Sequence, residues 1–184
     1  SDQDLKLVAD GRGFMGLRDQ TIVLGPDQVG GRDFVLIDLQ RCDVYLLGHL
    51  PALRLLALRE CRVVAGPVTG AVFVDGAERC TLCLAAYQAR VHSTTDTDFY
   101  VRTRSKPIVE HTSRVRFAPL ALALLGAPRC GEDVRAAALL TKHRLGEDTG
   151  MHVQVEDFGW IKATHSPNWC ELPEAEREPP VVVP

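Results

Sequence analysis

Cys80 and Cys83 form a CxxC pair, a spacing that could hold a metal ion or cycle between thiol and disulfide. A zinc site needs a second such pair, or two histidines at short spacing, and the sequence supplies neither. Cys42, Cys61, Cys130 and Cys170 stand singly, and with no secretory context all six thiols are expected to be reduced and structural. His49, His92, His111, His143, His152 and His165 include no pair at the spacing of a helical metal site. No GxxxxGK[ST] run occurs, so no nucleotide or other cofactor is expected on this chain; Gly11-Arg12-Gly13 and Gly30-Gly31 read as turn glycines.

Composition narrows the classes further. The chain has 184 residues, 46% hydrophobic and 24% charged, enough for one domain with a core that needs no metal or disulfide. A net charge of −3 gives no general attraction to nucleic acid or anionic lipid. No apolar run reaches the roughly 18 residues of a membrane span. Nor does a basic segment followed by an apolar stretch open this sequence, so no secretory signal is expected in it.

The cysteines carry a different message, because three of them mark a period. Cys42-Asp43-Val44-Tyr45-Leu46 is echoed by Cys61-Arg62-Val63-Val64-Ala65 and then by Cys80-Thr81-Leu82-Cys83-Leu84. Thr97-Asp98-Phe99-Tyr100-Val101 and Ser113-Arg114-Val115-Arg116-Phe117 continue it, with spacings of 19, 19, 17 and 16. Phe34 and Leu36 precede Cys42 by the offsets at which Leu53 and Leu55 precede Cys61, and Val72 and Val74 precede Cys80. Short alternating runs of this kind are strands. Each is too short to bury its face alone, and one residue type returning at one phase asks for stacked coils rather than a sandwich. The spacing therefore predicts a mainly β chain, a parallel β-helix over residues 17–120.

Residues 1–16 read as a flexible lead-in. Residues 121–170 are expected to supply a helix at Glu132–Leu145, stopped by Gly146, and a cover for the open end of the coils. Residues 171–184, acidic and then Pro- and Val-rich, read as a disordered tail. Within the repeat, Ala89 and Val91 take the inward phases of Val72 and Val74, so Arg90 must point outward from a rigid strand.

Several segments fall in an order that resembles the tubulin-binding cofactor C family. They are Cys61 to Pro67, Ala71 to Cys80, Gln88-Ala89-Arg90-Val91-His92, Pro107-Ile108-Val109-Glu110, Arg116-Phe117-Ala118-Pro119, Val155-Glu156-Asp157-Phe158-Gly159-Trp160 and Ser166-Pro167-Asn168-Trp169. The resemblance implies a right-handed β-helix of the kind shared with cyclase-associated proteins and the X-linked retinitis pigmentosa protein. It also implies a GTPase-activating role late in tubulin assembly. The implied partners are β-tubulin or the tubulin dimer, an Arf-like small GTPase, and cofactors D and E. The setting would be cytoplasmic, with centrosome or basal body as further addresses. The chain would catalyse no reaction of its own; GTP would sit on the partner.

On this resemblance Arg90 and Gln88 are the catalytic candidates. A guanidinium is planar, permanently charged and able to meet γ-phosphoryl oxygens with paired hydrogen bonds, which suits phosphoryl transfer. Relatives carry two glutamines before the arginine; here Tyr87 replaces the first. Glu110, about one coil on, is read as an outward carboxylate near Arg90 or His92 that orients the arginine, although strict counting would set Lys106 beside Arg90 instead. Tyr87 and His92 complete the supporting set. Phe158 is a candidate partner contact, whereas Trp160 and Trp169 read as packing. Arg102, Arg104 and Lys106 alternate along one face that could meet an acidic partner or simply face water. The competing reading is a non-catalytic scaffold holding tubulin, actin or another cytoskeletal protein.

Overall fold

The computed structural model describes residues 1–120 and 131–179. The alternating runs are strands, and each pairs in parallel with the equivalent run one repeat away. The front side of the coil stacks β1 (Gly13–Met15), β3 (Phe34–Gln40), β5 (Leu53–Arg59), the end of β6 (Arg62–Asp75), the end of β7 (Thr81–His92), β9 (Ile108–Glu110) and β11 (Glu156–Asp157). The back side stacks β2 (Thr21–Leu24), β4 (Asp43–Leu50), the starts of β6 and β7, β8 (Thr95–Thr103), β10 (Ser113–Pro119) and β12 (Trp169–Glu171). A third, short side is marked by the bridges Arg18–Gln40, Arg59–Glu78 and Glu78–Thr95. The chain is a parallel β-helix, as the repeat predicts.

Two left-handed residues per coil make the short side. One column of positive φ runs Gly16, Asp38, Ala57, Gly76, Ser93, His111; the other runs Asp19, Arg41, Glu60, Arg79, Asp96, Arg114. After four of the second corners, at Arg41, Glu60, Arg79 and Asp96, the next residue turns inward and its Sγ or Oγ1 caps the carbonyl two residues back. Cys42 bonds Gln40 O at 3.4 Å, Cys61 bonds Arg59 O at 3.2 Å, Cys80 bonds Glu78 O at 3.4 Å and Thr97 bonds Thr95 O at 3.0 Å. That is why cysteine recurs. The last phase differs from the expected one: Val115, not Ser113, stands opposite Thr97, because Ser113 belongs to the short side and pairs with Thr95.

The second corner also alternates in charge from coil to coil. Asp19 meets Arg41 at 2.6 Å, Glu60 meets Arg79 at 3.2 Å and Asp96 meets Arg114 at 2.8 Å. Hydrogen bonds from Arg41 and Arg114 hold the Asp19 and Asp96 carboxyls below the usual carboxylate range. Inside the coil, stacked apolar columns such as Leu36, Leu55, Val74, Val91 and Val109 are fully buried. Phe99 lies flat on Phe117 at 4.8 Å, and Trp169 closes the stack edge-on at 6.2 Å.

The segments outside the coils are more ordered than the sequence suggests. The lead-in contains α1 (Asp2–Ala9), whose capping box joins Ser1 to Asp4, and buried Asp4 takes a hydrogen bond from Arg54 at 2.8 Å. A short helix, α2 (Pro26–Val29), buries Val29. The expected C-terminal helix is α3 (Gly131–Lys142); it ends where Arg144 turns left-handed, before Gly146. Residues 171–179 are laid on the back side rather than loose: Leu172 is buried, Glu178 N donates to Tyr100 Oη at 2.8 Å, and Glu178 and Glu176 pair with Arg62 and Arg116. Acidity that reads as disorder is here attraction to strand arginines. Cys130 and residues 180–184 lie outside the described residues. No helix among the described residues is long and apolar enough to cross a membrane.

If stacked interior side chains carry the fold, Leu82→Ala or Phe99→Ala should each lower stability by about 2–5 kcal/mol. Arg59→Ala, on the exposed short side, should change it by no more than about 0.5 kcal/mol. Urea unfolding followed by circular dichroism measures both.

Candidate functional site

The end of β7 sits mid-stack on the front side, with Ala71–Asp75 of β6 on one flank and β9 on the other. Ala89 and Val91 are buried, so Arg90 between them projects outward, and it is exposed. Its Nε donates to Gln88 Oε1 at 3.2 Å. Among the described residues no carboxylate lies within the 4.0 Å of an ion pair with it. Phe73 is its neighbour one coil back and Ile108 its neighbour one coil on. Phe73 carries the Arg54 guanidinium 4.9 Å from its ring centre and tilts against His92 at 5.3 Å. An anchored strand thus holds an unneutralised guanidinium toward solvent.

Glu110 stands opposite His92 rather than Arg90. Its oxygens lie 3.7 Å from His92 Nε2 and 3.8 Å from His111 Nε2. The reason is the turn at residues 104–107, which inserts extra length between the back and front sides and brings Ile108 level with Arg90. The glutamine, not the glutamate, holds the arginine here. The same turn keeps Lys106 away from Arg90; its Nζ lies 3.5 Å from Glu156.

The basic run does not share one exposed face. Arg102 is buried, donating to Leu145 O at 3.2 Å and Leu120 O at 3.3 Å. It points out of the coil, as alternation requires, but α3 and its flanking residues cover that side, so it is withdrawn as a partner contact. Arg104 is exposed and lies 4.5 Å above the Tyr87 ring. Tyr87 is half-buried, and its hydroxyl donates to His143 O at 2.8 Å. His143 stacks on His49 at 4.3 Å, and burial, with His49 and Lys142 nearby, pushes its pKa down.

Phe158 projects beside this face. β11 extends the front side past β9, Phe158 N donates to Val109 O at 2.9 Å, and the Phe158 side chain is 57% exposed. Ile161, which sequence reasoning missed, is 95% exposed on the same loop; one apolar residue in a polar run was the only signal. Asp157 clamps the loop. Oδ1 accepts from Gly159 N at 3.0 Å, while Oδ2 accepts from Ser166 Oγ at 2.6 Å and Asn168 Nδ2 at 2.8 Å. Two distant sequence segments, around Asp157 and Ser166, are therefore one device. Trp160 Nε1 donates to Thr164 O at 2.7 Å inside the loop, and Trp169 packs on Phe117. No group of three or more His, Cys, Asp or Glu side chains among the described residues is placed to hold a metal ion.

A family model described as tubulin binding cofactor C matches residues 31–137. A tubulin-folding cofactor C from Arabidopsis thaliana is 40% identical over 170 residues, covering 92% of this chain and 47% of that protein. A tubulin-specific chaperone C from Mus musculus is 36% identical over 167 residues, covering 90% and 46%. The chain spans about half the length of the curated relatives it matches. The solved structure of tubulin binding cofactor C from Leishmania major matches with a TM-score of 0.58 over 93% of this chain and 98% of that one. At 23% identity that likeness speaks for the fold.

The loop clamp can be tested without a partner. Burial alone would raise the Asp157 carboxyl, but hydrogen bonds from Ser166, Asn168 and the Gly159 and Trp160 amides outweigh it and hold the pKa below the ordinary value. A depressed carboxyl contributes stability above its unfolded value, near about 3.9, and loses it as pH falls through the lower folded value. Amide exchange in residues 158–168 should therefore be slow relative to its intrinsic rate near neutrality and speed up below that window. Asp157→Ala should remove the protection at every pH while leaving exchange in β7 unchanged.

Proposed function

The chain belongs to the tubulin-binding cofactor C family, and from that membership we propose that it serves tubulin folding by activating GTP hydrolysis on a partner, with Arg90 as the inserted arginine. The observation that carries this reading is an exposed guanidinium that faces no carboxylate among the described residues, fixed near the end of β7 and steadied by Gln88. Phosphoryl transfer spreads negative charge over the γ-phosphoryl oxygens, and a positioned guanidinium from a second protein accelerates it by roughly 10³–10⁵. Rigid mounting lowers the ordering cost of docking. Gln88, already bonded to Arg90 Nε, is set to steady the arginine or orient the attacking water. The partner is β-tubulin, alone or in the dimer, or an Arf-like small GTPase, working with cofactors D and E. The Phe158 loop gives that partner an apolar contact beside the arginine. The setting that goes with this role is the cytoplasm, with centrosome or basal body as further addresses.

A scaffold without catalysis is the second reading, favoured by one observation. Tyr87 occupies the place of the first glutamine, and its hydroxyl is committed to His143 O.

Single-turnover GTP hydrolysis by each candidate partner separates the two. The wild-type domain should accelerate hydrolysis, and Arg90→Ala should lose at least about 10²–10³ of that acceleration while binding the partner and melting as wild type. Equal acceleration by both proteins would leave the scaffold reading standing.

A further inference from the structure

Most arginine side chains among the described residues have a partner within the chain. Arg18, Arg41, Arg54, Arg59, Arg62, Arg79, Arg114, Arg116 and Arg177 each face a carboxylate, and Arg12 and Arg102 donate to main-chain carbonyls. Among the described residues, Arg32, Arg90, Arg104 and Arg144 have neither kind of partner. These four are not scattered.

They gather along the edge where the back side turns into the front side. Tyr87 marks its middle. Arg104 N and Ser105 N both donate to Tyr87 O, at 3.2 and 3.1 Å, and the Arg104 guanidinium lies over the Tyr87 ring. The Tyr87 hydroxyl fixes His143 O, which brings Arg144, the next residue, to the same edge. Arg90 follows three positions along β7. Gly31, beside Arg32, lies against His49, whose ring stacks on His143, so Arg32 continues the edge several coils back. The nearest acidic side chains in sequence are Asp33, Glu147 and Asp148, and Asp148 Oδ1 is taken by Gly150 N.

We propose that this edge is a docking site for an acidic protein segment, with Arg104, propped on Tyr87, and Arg144 as the residues that select it. A guanidinium held on an aromatic face is preordered and keeps its N–H fork for an incoming carboxylate. With a net charge of −3 the chain has no broad cationic track, so a few unpaired guanidinium groups suit a short acidic stretch of protein better than a long polyanion. Tyr87 thereby gains a role: it supports a second cation beside Arg90. The inference depends on the proposed function only for the side on which the partner docks. Binding is measured here without GTP, so either idea can fail while the other stands.

The test is anisotropy of a fluorescent oligoglutamate peptide titrated with the full 184-residue chain. The wild type should bind at low salt and weaken as salt is added. Arg104→Glu combined with Arg144→Glu should weaken binding by about tenfold or more, and Tyr87→Leu by about threefold, whereas Arg59→Glu on the opposite side should change it by less than about twofold. The proposal is overturned if the wild type ignores the peptide, if the double variant binds as wild type, or if Arg59→Glu loses as much. A fluorescent oligonucleotide of equal charge that binds more tightly than the peptide overturns it too. Should the double variant fail to fold by circular dichroism, Arg104→Gln with Arg144→Gln decides the matter by the same criteria.

Discussion

Each coil of this protein changes direction through two left-handed residues three positions apart, and that pair of corners governs the rest. Left-handed backbone costs an ordinary residue on the order of 1–2 kcal/mol, yet only Gly16 and Gly76 in the two columns are glycines. Stacking offsets the cost. Arg41 N reaches Arg59 O, Glu60 N reaches Glu78 O and Ser93 N reaches Glu110 O, so these corner amides are satisfied by the coil beyond them. Corner carbonyls are capped by inward thiols and hydroxyls, including Thr94 and Thr112 at the first corner. With both corners fixed, every strand enters its sheet at a set phase. The outward direction of Arg90 follows from that phase.

The two long sides meet different surroundings. The outer surface of the back side is dry: Tyr45, Val64, Cys83, Tyr100 and Ala118 pack beneath Leu140, Leu145 and Leu172. Arg102 is trapped in that layer and ties Leu145 and Leu120 to the coil. The front side stays wet and carries Arg90, His92, Glu110 and the Phe158 loop. Tyr87 stands at the boundary, its hydroxyl in the C-terminal cover and its ring under an exposed arginine.

Much of this was legible in the sequence, for a physical reason. The cysteine period reports the corner, because a small inward side chain with a donor is what the corner carbonyl accepts. Alternation around Ala89 and Val91 reports which way Arg90 points. What alternation cannot report is what lies over the side a residue points to, and so Arg102 looked free. The count from Arg90 to its neighbour failed at residues 104–107, where turn length changes without a hydrophobic signature. The pairing of Asp157 with Ser166 and Asn168 was hidden because a side-chain clamp between segments leaves no period at all. Composition could not show the contacts of residues 171–179, since Glu176 and Glu178 find arginines that only folding brings to the back side.

The corner column that runs Asp19, Arg41, Glu60, Arg79, Asp96, Arg114 inverts its sign at every step, so its true repeat is two coils, not one. A solenoid lengthened by a single coil would set two like charges face to face somewhere along that line. Lengthened by a pair, it would keep every neighbour opposite. An engineered extension of this chain therefore keeps its corner charges complementary only when coils are added in even steps.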